Sequence, residues 1–322
     1  MGRAAGGKSF GSMSSASEDK SPELNLWKLT LEVKLLLNDE KFRVPCPCSQ
    51  AEETQPIKCG QRNKEGVLGA LNFAIPPSGP PGESKFGEFP WTIDITNNQR
   101  LLCAGSLIHP KVVLTAGQCL LRQIDNKNLT IRAGLWDRED NNERYPYQVR
   151  SIEKFIIHPK MAARKYDIAL VIVNESFVLA DHINTVCLPP ADYVTPNGTL
   201  CYATGWGRQS MFGDISRRMK PVTLTSLTGE ICEREMNTQL HSSVICGLGQ
   251  NGNDTCAGDS GAPLVSRIEA EEEIYHQIGI TSFGAACFAG IPGGYTNVAR
   301  LRGWIDSQMR EHGLETSTYT YE

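Results

Sequence analysis

The sequence predicts an all-β protein with one amphipathic helix near its C-terminal end. From residue 86 onward, short β-rich runs recur between Gly, Pro and Asn, among them "WTIDIT", "KVVLTAG", "LTIRAG", "DIALVIV" and "HQIGITSFG". No βαβ alternation separates them, so we expect antiparallel barrels or a sandwich. Leu301, Trp304, Ile305 and Met309 recur at helical spacing, which predicts this amphipathic C-terminal helix.

The composition divides the chain into four segments. We predict a largely disordered N-terminal extension over residues 1–44, since its first part is small, polar and rich in Gly and Ser. Residues 45–85 read as a tether, because they hold three cysteines and then "IPPSGPPGES", where Pro and Gly prevent regular structure. The β-rich domain follows over residues 86–313 and a short tail over residues 314–322.

Charge and cysteine content indicate the class of protein. The net charge is −4 and no long Lys/Arg run occurs, which disfavours binding to nucleic acid. No stretch of about 18 uncharged apolar residues could span a bilayer. Eleven cysteines without zinc-type spacing predict disulfides in an oxidising compartment, and neither a metal nor a cofactor is expected. We predict a secreted glycoprotein with sequons at Asn128, Asn174, Asn197 and Asn253, although no apolar signal-peptide core is visible.

Two short motifs indicate catalytic chemistry. Ser260 lies in "CAGDSGAPL", whose glycines would let backbone N–H groups approach a developing oxyanion. Asp167 precedes the apolar run "IALVIV", a position where a carboxylate can orient a base. Taken singly, each motif also fits an ordinary turn, since Gly, Asp and Ser dominate turns.

The motifs taken together resemble the trypsin/chymotrypsin family of serine proteases. From about residue 86 to 310 the matching blocks occur in order: "GEFPW", "CAGSLIHPKVVLTAGQC", "DIALV", "VCLPP", "CYATGWG", "DTCAGDSGAPL", "ITSFGAAC" and "PGGYTNV". The resemblance implies two six-stranded antiparallel β-barrels with a cleft between them. It places Asp167 and Ser260 at the Asp and Ser of the catalytic triad, and Gln118 at the position of the His.

The same resemblance assigns the rest of the site. It implies oxyanion-hole N–H groups from Gly258 and Ser260. It also implies a pocket for Arg or Lys side chains lined by Asp254, Gly284 and Gly293. In the family, an N-terminal ammonium released by cleavage pairs with the Asp before the nucleophile, here Asp259. Upstream of "GEFPW", however, no basic residue precedes an Ile-Val pair.

Gln118 is the main departure from the family pattern. A primary amide is not basic enough to accept the serine proton, so we predict that the chain is catalytically inactive. The six histidines lie outside the blocks that the family places beside the nucleophile; they are His109, His158, His182, His241, His276 and His312. Smaller departures are Ala262 for a usual glycine and Phe283 for a usual tryptophan.

The resemblance also implies how the cysteines pair. It predicts the bonds Cys103–Cys119, Cys232–Cys246, Cys256–Cys287 and Cys59–Cys187, the last joining the tether to the domain. The family partner of Cys201 would stand at residue 266, which is Ser266. Cys201 is therefore left to pair with Cys46 or Cys48, with one thiol over, or the surplus thiol reflects an incomplete N-terminus.

Several blocks are similar to insect serine protease homologues of the masquerade-like and phenoloxidase-activating-factor type. These blocks are the tether "CG", "FGEFPW", "AGLWDRED", "CLPP" and "CYATGWG", although a full six-cysteine clip domain is missing. The resemblance implies a binding cofactor in an extracellular protease cascade of melanisation. Its partners would be a protease, a zymogen or a prophenoloxidase-like protein. In that group the serine is commonly the residue lost, whereas here the histidine has gone.

Alternative functions remain open from the sequence. The chain would otherwise be an active trypsin-like endopeptidase cleaving after Arg or Lys, or an adhesion or scaffold protein. As a binding protein it would use Asp254 to anchor a partner's Arg or Lys, unless a glycan on Asn253 crowds the pocket. Exposed basic residues of the tether would be its cleavage sites, namely Arg62, Lys64 and Lys85.

Overall fold

A computed structural model describes residues 58–67, 82–123, 128–140, 143, 145–208, 210, 212–250, 254–268, 272–284 and 290–321. The predicted disordered extension and the Pro-rich part of the tether lie outside the described residues. None of the helices in this part of the chain is both long and apolar enough to cross a membrane.

The first six strands form a closed antiparallel barrel. Its strands are joined in the order β1-β2-β3-β6-β5-β4. They are β1 (Thr92–Asn97), β2 (Arg100–His109), β3 (Val112–Thr115), β4 (Leu129–Ala133), β5 (Gln148–Ile157) and β6 (Ala169–Val173). Every residue of β3 and β6 is buried, which explains why these two strands read as continuous apolar runs.

The second six strands form a closed antiparallel barrel of their own, with the order β10-β11-β12-β9-β8-β7. They are β7 (Leu200–Gly205), β8 (Lys220–Leu227), β9 (Val244–Gly249), β10 (Pro263–Arg267), β11 (Tyr275–Phe283) and β12 (Gly293–Asn297). The predicted fold class of two six-stranded antiparallel barrels is therefore confirmed. Polar contacts join the barrels: Thr92 and Thr204 share a hydroxyl hydrogen bond of 2.7 Å, and Ser106 donates to Gln277 at 2.5 Å.

The predicted C-terminal helix is present as Val298–Glu311, with Leu301, Ile305 and Met309 buried and Trp304 half-buried. The structure adds a helix that the sequence did not predict, Gly229–Met236, and we label the two α1 (Gly229–Met236) and α2 (Val298–Glu311). Only one residue of α1, Cys232, is buried, and the helix is eight residues long. It is delimited by the Thr228 N-cap and by Asn237 in the left-handed conformation, with φ 48°.

Residues 58–67 of the predicted tether are attached to the domain. Cys59 forms a disulfide with Cys187. Backbone bonds of 2.8 Å run from Gly60 N–H to the Thr185 carbonyl and from Tyr275 N–H to the Gly60 carbonyl. This end of the tether is therefore a part of the folded domain.

The structure contradicts the prediction that Arg62 is an exposed cleavage site. Its side chain is only 13% exposed and is paired with Glu88 at 2.5 Å. The guanidinium lies 4.8 Å from the Phe89 ring centroid and 4.9 Å from that of Tyr202, and it donates to the Tyr275 hydroxyl. Because a protease needs an extended and accessible segment, Arg62 is a structural residue rather than a cut site.

Two further disulfides join Cys103 to Cys119 and Cys232 to Cys246. Cys256 is also disulfide-bonded, and Cys287 lies outside the described residues.

Cys201 does not follow the suggested pairing with Cys46 or Cys48, since it is a buried free thiol. Ser266 stands directly opposite it in the β7–β10 register, and both side chains are fully buried. No other cysteine reaches this position in the described part of the chain.

Candidate active site

Gln118 and Asp167 lie together where the two barrels meet. Gln118 is held in a 3₁₀ turn, Gly117–Cys119, that follows β3, and Asp167 precedes β6. Because β3 and β6 are paired strands, the two residues meet at the same end of the first barrel. Both the backbone N–H and the side-chain amide of Gln118 donate to the Asp167 carboxylate, at 2.8 and 2.9 Å.

Two further residues hold Asp167 in place, one at its carboxylate and one at its backbone carbonyl, and neither stood out in the sequence. The Ser282 hydroxyl donates to Asp167 Oδ2 at 2.6 Å, and the Thr296 hydroxyl donates to the Asp167 carbonyl at 2.7 Å. Burial raises the pKa of Asp167, while the hydrogen bonds from Ser282 and Gln118 oppose the rise. Ser282 and Thr296 come from β11 and β12, far away in sequence, so no local pattern could have revealed them.

The Gln118 amide is fully used as a donor. Its Nε2 atom donates to Asp167 and also to the Ser282 carbonyl, at 2.6 Å. Only the Oε1 atom remains, which accepts hydrogen bonds and has no useful basicity near neutral pH. Within the described residues, no side chain makes a hydrogen bond to the Ser260 hydroxyl.

None of the six histidines has a described contact with Ser260. Among the described contacts, each is engaged away from Ser260. Their neighbours are Lys111 for His109, Tyr166 for His158, Tyr145 for His182, Ser243 for His241, Ser266 for His276 and Lys154 for His312. Ser260 itself is half-buried between the barrels, and its carbonyl accepts from Ala104 N–H at 2.9 Å.

The backbone beside Ser260 contains a glycine in a left-handed conformation. Gly258 adopts φ +102°, which strains any residue with a side chain. The N–H groups of Gly258 and Ser260 have no hydrogen-bond partner in the part of the chain that the structure describes. Both donors are thus available to an incoming carbonyl or carboxylate oxygen.

Asp259 is stabilised by backbone groups instead of by an ammonium. Its two oxygens accept from Gly207 N–H at 2.8 Å and from Cys256 N–H at 3.0 Å. No basic side chain pairs with it among the described residues. Burial raises its pKa to about 6. Gly207 was missed in the sequence, and its role is steric, because a side chain there would overlap the Asp259 carboxylate.

A pocket of about 240 Å³ opens next to Ser260. Asp254, Gly284 and Gly293 line it together with Phe283. Asp254 is 9% exposed, and one of its oxygens accepts from Thr255 N–H at 2.8 Å. No cation neutralises it within the described residues, and burial raises its pKa to about 6. Asn253, the predicted glycan site beside it, lies outside those residues.

The sequence matches the family model for trypsin over residues 82–305. The chain belongs to the trypsin family. It is 37% identical over 301 residues to phenoloxidase-activating factor 2 of Galleria mellonella, an alignment that covers 85% of this chain and 96% of that one. It is 31% identical over 277 residues to the inactive CLIP domain-containing serine protease A8 of Anopheles gambiae, covering 79% of this chain and 73% of that one.

Comparison with a solved structure agrees with the trypsin-like fold. Human heparin binding protein superimposes with a TM-score of 0.62 at 26% identity, covering 72% of this chain and 97% of that one. The resemblance to the trypsin family, and within it to insect proteins of the phenoloxidase-activating-factor type, is thus confirmed.

Proposed function

We propose that this trypsin-family chain is a catalytically inactive pseudoprotease that acts by binding other proteins in an extracellular proteolytic cascade. The observation that carries the proposal is the hydrogen bonding of the Gln118 side-chain amide. Its amide nitrogen is held by Asp167 and Ser282, so the position that should contain a base offers Ser260 only a weakly basic oxygen.

Having Gln118 in place of the triad histidine should lower the catalytic rate greatly. A serine hydroxyl becomes a useful nucleophile only when a base removes its proton, and the same base must then protonate the leaving group. Loss of the triad histidine in subtilisin lowers kcat by about 2 × 10⁶, or about 8–9 kcal/mol in the barrier. An enzyme of ~10 turnovers per second would slow to about one event in two days.

The pocket supports a binding role. Asp254 is a buried carboxylate with no cation beside it in the described residues, at the edge of an open cavity. An Arg or Lys side chain of a partner would neutralise it through charge-assisted hydrogen bonds. The named relatives fit this role, since one is called an activating factor and another is called inactive. The partner would be a protease, a zymogen or a prophenoloxidase-like protein.

A second candidate is an active endopeptidase cleaving after Arg or Lys. It is favoured by the retained Ser260, by the available N–H groups of Gly258 and Ser260, and by the acidic pocket. It requires a base that neither Gln118 nor the six histidines supply.

The deciding experiment measures hydrolysis of an arginine ester over one day by secreted wild type, Ser260→Ala and Gln118→His. We expect wild type to match Ser260→Ala. Ser260-dependent turnover by wild type would refute the proposal and support the second candidate. Activity in Gln118→His alone would show that the pocket is already formed and that the lost base is the main lesion.

A further inference from the structure

The last described residues of the chain, 314–321, fold back over the first barrel, and we call them the C-terminal strap. The Thr185 hydroxyl donates to the carbonyl of Thr318 in the strap at 2.8 Å. Three residues further along, the N–H of Leu188 donates to the carbonyl of Tyr319 at 2.8 Å. The strap is thus hydrogen-bonded to both ends of one short segment, residues 185–188.

A second set of contacts anchors the strap to α2. The Tyr319 side chain is fully buried, and its hydroxyl donates to the Asp306 carboxylate at 2.8 Å. The guanidinium of Arg302, a buried residue of α2, lies 4.8 Å from the Tyr319 ring centroid and donates to the Thr320 hydroxyl at 3.0 Å. The same guanidinium donates to the Leu188 carbonyl at 3.0 Å. One buried cation therefore holds the strap and the segment of residues 185–188 together.

Cys187 lies within that segment, and its disulfide to Cys59 is enclosed by several neighbours. The two cysteines form a buried cluster with Ile274, and the half-buried Tyr321 of the strap packs against this cluster. Gly60 lies so close that a side chain there would come within 3.0 Å of the Cys187 sulfur. Of these neighbours, only Tyr321 belongs to a chain end, where residues separate from the fold most readily.

Reduction of this disulfide requires access to one of its sulfur atoms. A thiolate of the reductant attacks one cysteine sulfur, the S–S bond breaks, and the other cysteine leaves as a thiolate that takes up a proton. The second thiol of a dithiol reductant then displaces the first cysteine, so the reductant is oxidised to a disulfide and the protein gains two thiols. Because Cys59 and Cys187 are both buried, the rate depends on a local opening of the chain around them.

We propose that the C-terminal strap shields the Cys59–Cys187 disulfide from reduction and so keeps residues 58–67 covalently joined to the barrels. Lifting the strap removes the Tyr321 ring from the cluster and frees the segment around Cys187 from its hydrogen bonds to the strap. The disulfide then becomes reducible while the two barrels stay folded. The inference concerns how the tether is attached, and it holds whether or not the cleft binds a partner.

The test follows the reduction of each disulfide separately in the full chain. Free thiols are first blocked with iodoacetamide, and dithiothreitol is then added for timed intervals. The new thiols are trapped with N-ethylmaleimide and located by peptide mass spectrometry. The bonds Cys103–Cys119 and Cys232–Cys246 are internal controls, since they are buried as well and do not belong to the cluster against which Tyr321 packs.

Three variants separate the shielding ring from the fastening of the strap. Tyr321→Ala removes the ring and should speed reduction of the Cys59–Cys187 disulfide about 10-fold, because the opening that admits the reductant becomes less costly. Thr318→Val keeps the ring but removes the hydroxyl that donates to a β2 carbonyl at 2.8 Å, and it should speed the reduction about 3-fold. The control Glu315→Gln changes an exposed residue of the same strap and should leave the rate within about 2-fold of wild type.

The pattern across the three disulfides decides the outcome. A faster reduction confined to Cys59 and Cys187 in Tyr321→Ala supports the shielding role. An equal increase at all three disulfides means that the variant destabilises the whole domain, which refutes that role. An unchanged rate in Tyr321→Ala also refutes it, because the bond is then protected without the strap. An increase in Glu315→Gln as large as in Tyr321→Ala would refute it too, since the ring would have no specific part.

Discussion

The pocket should bind cations in a pH-dependent way set by Asp254. Burial raises the pKa of this carboxyl from 3.8 to about 6. A benzamidinium ion stays positively charged across the neutral range and would require the ionised carboxylate. At pH 5 only about one-tenth of Asp254 would be ionised, so the affinity should be about 10-fold weaker than at pH 8, or about 1.4 kcal/mol. The affinity therefore rises with pH through about 6 and is constant above about 7.

The assay is a titration of a fluorescent benzamidine at several pH values between 5 and 8. Asp254→Asn is the control, because it removes the titrating group and retains Asp259, whose pKa is also raised to about 6. Wild type should show the pH dependence, and Asp254→Asn should bind weakly at every pH. A flat profile in wild type, or an equal slope in both proteins, would contradict the assignment of the pocket to Asp254.

Three other changes follow from the structure. Ser266→Cys should form a disulfide with Cys201, because facing residues on antiparallel strands lie close enough to bond. Thiol titration should then show one fewer thiol than in wild type, and urea unfolding should show a free energy of unfolding that is higher by up to about 4 kcal/mol. Ser266→Ala is the control, since it keeps the Cys201 thiol. Arg62→Ala leaves Glu88 buried without its cation and should lower the free energy of unfolding in urea by about 2–4 kcal/mol. The control is Lys64→Ala, an exposed position where the loss should be less than about 0.5 kcal/mol. Equal losses in the two variants would refute the structural role of Arg62. Gly207→Ala would displace the Asp259 carboxylate and should lower benzamidine binding at pH 8, while Gly303→Ala on α2, where a side chain meets open space, should leave it unchanged.

The features that the sequence predicted correctly are those that depend on local residue patterns. The β-rich runs and the apolar face of α2 were readable because burial alternates or recurs with the period of each element. The family blocks predicted that Gln118 and Asp167 lie together. In the structure two nitrogens of Gln118 donate hydrogen bonds of 2.8 and 2.9 Å to the Asp167 carboxylate oxygens. The role of the remaining site residues, including Gly258, Gly284 and Gly293, stays a prediction until the site is tested.

Long-range contacts account for what the sequence did not predict. Ser282, Thr296 and Gly207 act through neighbours that are more than fifty positions away, so their own surroundings in the sequence carry no signal. Arg62 looked like a cleavage site because its sequence neighbours are polar, whereas its three-dimensional neighbours are aromatic. The free thiol of Cys201 follows from its strand partner in β10.

The disulfide between Cys59 and Cys187 determines what proteolysis of the chain would produce. Residues 68–81 contain no Lys or Arg, so a protease specific for basic residues has no target there. A protease of another specificity that cuts in this stretch would separate the chain into two polypeptides without releasing either, because Cys59 and Cys187 lie on opposite sides of the cut. The product would migrate as one species without reductant and as two with it. The N-terminal segment itself would thus remain covalently attached to the barrels after cleavage.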